Sequence, residues 1–131
     1  MSNPSEFVFK LFRHAEWQAL CAQGVWQGSP DDARDGFIHL SAAKQIAGTL
    51  EKHFAGDTDL VLAAVRVADL ADALKWEPSR GGALFPHLFA PLNRSSVVAD
   101  AAVPDDRSGR EAEIVSQMLA DLMGREMESR S

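Results

Sequence analysis

The run Leu60-Val61-Leu62-Ala63-Ala64-Val65-Arg66-Val67 is apolar at every position but Arg66, and it limits the folds open to this chain. It falls well short of the roughly 20 apolar residues needed to cross a bilayer. A short aliphatic and β-branched run of this kind reads as the central strand of a sheet. The rest of the chain must supply its neighbours.

Those neighbours are visible. "FVFKLF", Phe7 to Phe12, alternates aromatic and aliphatic residues around Lys10 and reads as a first strand. "RHAEWQALCAQG" reads as a helix, with Trp17, Leu20 and Cys21 at i, i+3 and i+4 and Gly24 as its stop. "VWQGSPDDARDG" reads as a polar connecting loop leading into the strand "FIHLS". Ser41 at the end of that strand is placed to cap a helix in which Ile46, Leu50, His53 and Phe54 share a stripe. After the central strand, "ADLADAL" reads as a helical turn and "KWEPSRGG" as an extended piece entering a glycine turn. "ALFPHLF" and "SSVVADAAV" are two further strands. Ile114, Val115, Met118, Leu119, Leu122 and Met123 then form one helical stripe, expected over 108–128, that packs back on the sheet or pairs with a second subunit. Residues 1–6 read as a flexible tail and 7–131 as one α+β domain.

Net charge is −6, from 19 acidic and 13 basic residues, which argues against an extended nucleic-acid surface. Cys21 is the single cysteine, so no intrachain disulfide or thiolate metal cage can form, and it is expected to be buried. The N-terminal residues lack the charged and apolar regions of a secretion signal, so a cytoplasmic protein without membrane association is expected. No G-x-G-x-x-G or P-loop lysine motif occurs. "SAAK" matches S-x-x-K, but its S-D-N and K-T-G companions are missing.

Chemistry is carried by two histidine strands. Alternation places Phe37, His39 and Ser41 on one face of the first, and Phe85, His87 and Phe89 on one face of the second. If the strands share a sheet or face across a gap, the imidazoles meet in a space walled by phenylalanine, the composition of a small-molecule pocket. The competing reading has each histidine bonded to a backbone carbonyl and half-buried. Glu77, beside Trp76, is either an ordinary surface carboxylate or a group that orients a hydroxyl, stabilises a cation or acts as a base, and Arg80 is a candidate phosphate contact. Lys10, flanked by Phe9 and Leu11, needs an anionic partner or a route to solvent. His39, His87 and Glu77 have the atom types of a metal site, but no close ligand pair supports one, and no metal is predicted.

"EWQALCAQG", "GFIHLSAAKQ", "TDLVLAAVRVADL", "KWE" and "LFPHLFAPL" resemble the bacterial family of unknown function numbered 952, over residues 7–103. That family resembles the ADP-ribosyltransferase fold, in which two abutting, mainly antiparallel β-sheets with flanking helices hold NAD in a cleft. It is also similar in part to RNA 2'-phosphotransferases, which "IHLS" resembles. The resemblance implies NAD or a related small nucleotide as ligand, with His39 and Ser41 as contacts to its ribose or adenylate portion. It adds Lys10 at a position where the family often carries histidine, and Glu77 and His87 as catalytic candidates. Two functions stay open: ADP-ribose transfer, or a non-catalytic small-ligand or protein-interaction module on the same scaffold. Monomer and homodimer are equally open.

Overall fold

The computed structural model describes residues 6–130, without the side chains of Arg80 and residues 125–130. Of the expected tail, residues 1–6, all but Glu6 lie outside the described residues, as does any phosphate contact by the Arg80 side chain. The protein is α+β, and every strand pairing described is antiparallel.

The apolar run becomes β4 (Leu60–Arg66), paired on one side with β1 (Phe7–Arg13) and on the other with β8 (Val97–Ala102). Its two faces feed two cores. Phe7, Phe9 and Leu11 of β1 and Leu60, Leu62 and Ala64 of β4 pack against Ile46, Leu50 and Phe54. These three belong to α3 (Ile46–His53) and its C-cap. Val115, Met118 and Leu122 of α4 (Glu111–Arg130) close this core. The alternate residues Val8, Phe12, Ala63 and Val65 face Leu20, Trp26, Ile38, Leu40 and Leu88. A central strand buried on both faces has no room for a polar position, which is why the run lacks alternation.

The C-terminal stripe therefore packs on the sheet as expected, although α4 begins at Glu111 rather than residue 108. The preceding turn is held by Arg107, only 4% exposed. Its guanidinium donates to the carbonyls of Phe54 (2.6 Å), Asp57 (2.9 Å), Pro104 (3.1 Å) and Asp105 (3.3 Å), fastening the end of α3 to the entry of α4. Leu122 is fully buried in the core that both helices share. Leu122→Ala is expected to lower stability by about 2–5 kcal/mol in urea unfolding, the range for a buried Leu truncation.

The stretch from Cys21 to Ser41 differs from expectation at three places. The expected loop holds β2 (Val25–Trp26) and a short helix, α2 (Pro30–Asp35), which sequence periodicity did not reveal. β2 pairs with β7 (Leu92–Asn93), adding a two-stranded ladder to the two three-stranded sheets. Cys21 is exposed on α1 (His14–Gln23), because Leu20 alone of that helix is fully buried and the next residue turns outward.

Ser41 is the third. It does not cap the helix; instead its N–H and C=O exchange hydrogen bonds with Phe9 at 2.9 and 2.8 Å. The other sheet runs β3 (Ile38–His39), β6 (Leu84–Leu88), β5 (Leu74–Pro78). Its β3 strand leaves β6 after Leu40 and meets the free edge of β1 at Ser41, so the two sheets join at that bridge.

Candidate functional site

Around this junction lies a cleft of about 440 Å³, within the usual range for small-molecule sites. Residues of β1, α2, α3, β3 and β6 line it. Lys10, His39, Ser41 and His87 all do so, and Phe85 adds an aromatic wall. Of the five residues that the resemblance implied as ligand contacts or catalytic groups, four thus share one cavity. Glu77, the fifth, stands behind His87 and is not part of the cleft wall.

His39 and His87 are directly opposed in the β3–β6 register, with ring centroids 5.7 Å apart. Phe37 packs between them: it stacks on His87 at 4.0 Å and tilts against His39 at 4.7 Å. Phe89 touches Phe37 in turn. Glu77 shares the histidine's face across the β5–β6 pair and accepts from His87 Nδ1 at 2.8 Å. A carboxylate only accepts, so Nδ1 carries the hydrogen in this contact. Nε2 of His87 has no hydrogen-bond partner among the described residues.

His39 is held differently. Its Nδ1 lies 2.6 Å from Asp32 Oδ1, and its Nε2 lies 3.0 Å from Asp35 Oδ2. Both ring nitrogens are taken, so a ligand engages this ring through its face or by displacing Asp35. The hydrogen bonds to ribose that the resemblance implied for His39 require that displacement.

Asp32 is the residue that sequence reasoning missed. It is 2% exposed. Oδ2 accepts from the Ser29 N–H at 2.9 Å, while Ser29 Oγ accepts from the Asp32 N–H at 3.2 Å, a reciprocal cap at the start of α2. Oδ1 accepts from the His39 N–H at 3.1 Å as well as from the ring. Lys10 Nζ reaches Oδ2 at 3.4 Å and donates to the His39 carbonyl at 2.9 Å. One carboxylate thus fixes a helix, a histidine and a buried lysine. The signal was present: Ser29, Pro30 and Asp32 form a capping box with proline in the first helical position. Space is tight here, since a Cβ on Gly28 (φ +113°) would come within 2.8 Å of Asp32 Cβ.

Burial would raise the Asp32 carboxyl. The His39 hydrogen bond, the Lys10 charge and the two backbone N–H donors outweigh it and hold the group well below the usual carboxylate range. Burial lowers the pKa of Lys10, with Asp32 opposing. The lysine neither snorkels to solvent nor offers an uncompensated cation, since Asp32 already pairs with it. Ser41 is buried, with its Oγ 3.4 Å from Thr49 Oγ1. Among the described residues, no group of three or more His, Cys, Asp or Glu side chains is arranged to hold a metal ion. Nor is any described helix long and apolar enough to cross a membrane.

The family model described as protein of unknown function (DUF952) matches residues 11–100. The crystal structure of protein CC0527 from Caulobacter crescentus is similar to this chain at 49% identity, with a TM-score of 0.72. The match covers 75% of this chain and 86% of that one. The solution NMR structure of CC0527 matches at 48% identity and a TM-score of 0.71, over 79% and 90% of the two chains. No curated protein matches the chain at a significant level.

Proposed function

The chain belongs to the DUF952 family of proteins of unknown function, and on that premise we propose that its cleft binds NAD or a related nucleotide and transfers the ADP-ribosyl group. The observation that carries this reading is the convergence of His39 and His87 on one cavity, with Glu77 fixing the second ring from behind. The resemblance to ADP-ribosyltransferases supplies the ligand class, and the two joined antiparallel sheets are compatible with it. NAD, when bound, supplies a ribose whose bond to nicotinamide breaks while an acceptor oxygen forms the new bond. His87 takes the acceptor's proton at Nε2, the nitrogen left open by the contact to Glu77. Glu77 is then a positioning residue: it holds the ring and its tautomer through Nδ1. Ser41 and Thr49 add hydroxyls to the cavity wall, and Phe85 adds an apolar surface for a flat ring.

Calorimetric titration of the full chain with NAD should give saturable heat. Release of free nicotinamide, followed chromatographically, should accompany it when an acceptor is supplied. No saturable heat at millimolar NAD would end this reading. The occupied nitrogens of His39 favour one alternative, a binding module without catalysis, because His87 then stands alone as proton acceptor. That alternative predicts NAD binding with no nicotinamide released.

A further inference from the structure

Helix α3 and the turn before it face the cleft through Gln45, Gly48, Thr49 and Lys52, residues spaced at i, i+3, i+4 and i+7. Gln45 is already committed: its Oε1 accepts from the Ala42 N–H at 2.9 Å, and its Nε2 donates to the Leu84 carbonyl at 2.7 Å. These bonds fix where the helix begins and leave the next two turns as the open wall.

Gly48 is the anomaly on that wall. Glycine inside a helix costs about 1 kcal/mol relative to alanine. Close packing is the usual compensation, yet a Cβ built on Gly48 would meet nothing within 4 Å. The missing side chain therefore opens backbone to the cavity rather than to a neighbouring element. Donors stand beside the gap. Thr49 carries a hydroxyl, and the Lys52 ammonium has no ion-pair partner among the described residues. The carboxylates lining the same cavity are already engaged. Asp32 is held by Lys10 and His39, Asp35 by His39 and Arg34, Asp31 by Arg34, and Glu16 by the Arg13 N–H. An anion arriving at α3 thus meets a bare backbone with a hydroxyl and a cation beside it.

We infer that the Gly48–Thr49–Lys52 face of α3 is the contact surface for a phosphate or diphosphate group of the ligand, which lies against the backbone at Gly48. The inference rests on the nucleotide reading above and deepens it, but it specifies an anion subsite that can be tested apart from NAD. Lys52 sits in the last helical turn, where a cation also suits the helix dipole. Gly48 is therefore the residue whose substitution isolates the ligand role.

The test is an amide-resolved NMR titration of the full chain with ADP-ribose and, separately, with inorganic pyrophosphate. The largest shifts are expected at Gly48, Thr49 and Lys52. Gly48→Ala should raise the melting temperature by about 2–6 °C. Gly48→Leu should retain the fold, by the same melt, and weaken ADP-ribose binding about tenfold or more by filling the gap. Lys52→Ala should weaken it severalfold, with the difference shrinking as salt is added. The inference is overturned if neither probe shifts these amides, or if Gly48→Leu binds as tightly as the parent chain. Failure of NAD to bind while pyrophosphate shifts the α3 amides would sink the transferase reading and leave the anion subsite standing. Binding of NAD without any α3 shift would do the reverse.

Discussion

Replacing Asp32 by alanine is expected to destabilise the protein by about 3–5 kcal/mol in urea unfolding, the loss found when one member of a buried ion pair is removed. The carboxylate satisfies two backbone N–H groups, one imidazole and one ammonium. Alanine leaves the Lys10 charge buried, with only the His39 carbonyl as acceptor and the Trp26 ring 5.4 Å away. It also removes half of the reciprocal cap that starts α2. Converting Lys10 to methionine in the same chain should recover part of the loss, since the stranded ammonium goes with it. An additive double variant would show that the two side chains act independently.

The same carboxylate sets an acid limb. Asp32 ionises far more readily folded than unfolded, where its pKa is close to 3.8. Its contribution is therefore complete above about pH 4 and is lost as pH falls toward the depressed folded value. Stability measured between pH 5 and pH 2 should fall more steeply in the parent chain than in Asp32→Asn, which carries no titrating group at this position. Parallel slopes would refute the assignment.

The contrast between α4 and α2 shows what sequence could reveal here. The long helix announces itself because its buried residues recur at helical spacing over successive turns. Helix α2 spans six residues and has one buried side chain, Asp32 itself, so hydropathy carries no period to read. Only its capping chemistry marks it, and that is a signal of two or three residues within a stretch rich in turn formers. The importance of Asp32 follows from partners at positions 10 and 39, which pattern alone cannot bring together. Alternation did place His39 and His87 on faces able to meet, because the period of a strand is fixed by its backbone. It could not say that the two would sit directly opposite or that Phe37 would lie between them. Ser41 went astray for a related reason. A serine before a helix is a good cap in isolation, but here its backbone is engaged by β1, and the helical segment starts after Ala42 and Gln45 instead.

His87→Gln is expected to lower the rate of nicotinamide release by about 10²–10⁴-fold, the usual contribution of a positioned acid–base group, while NAD affinity changes little. Glutamine approximates the size of imidazole and can still donate to Glu77, so the Phe37 stack loses an aromatic partner but the cavity keeps its wall. What it cannot supply is a ring nitrogen able to take a proton from the attacking group. Glu77→Gln separates positioning from proton transfer. The imidazole remains, but the new amide can donate as well as accept, and Nδ1 is no longer confined to the donor role that leaves Nε2 open. The rate of this variant should therefore fall by less than that of His87→Gln, and its pH–rate profile should move, whereas a purely structural contact would lower stability with the profile unchanged. Equal rates in the parent and both variants would remove His87 and Glu77 from the chemistry and leave the cleft a binding site.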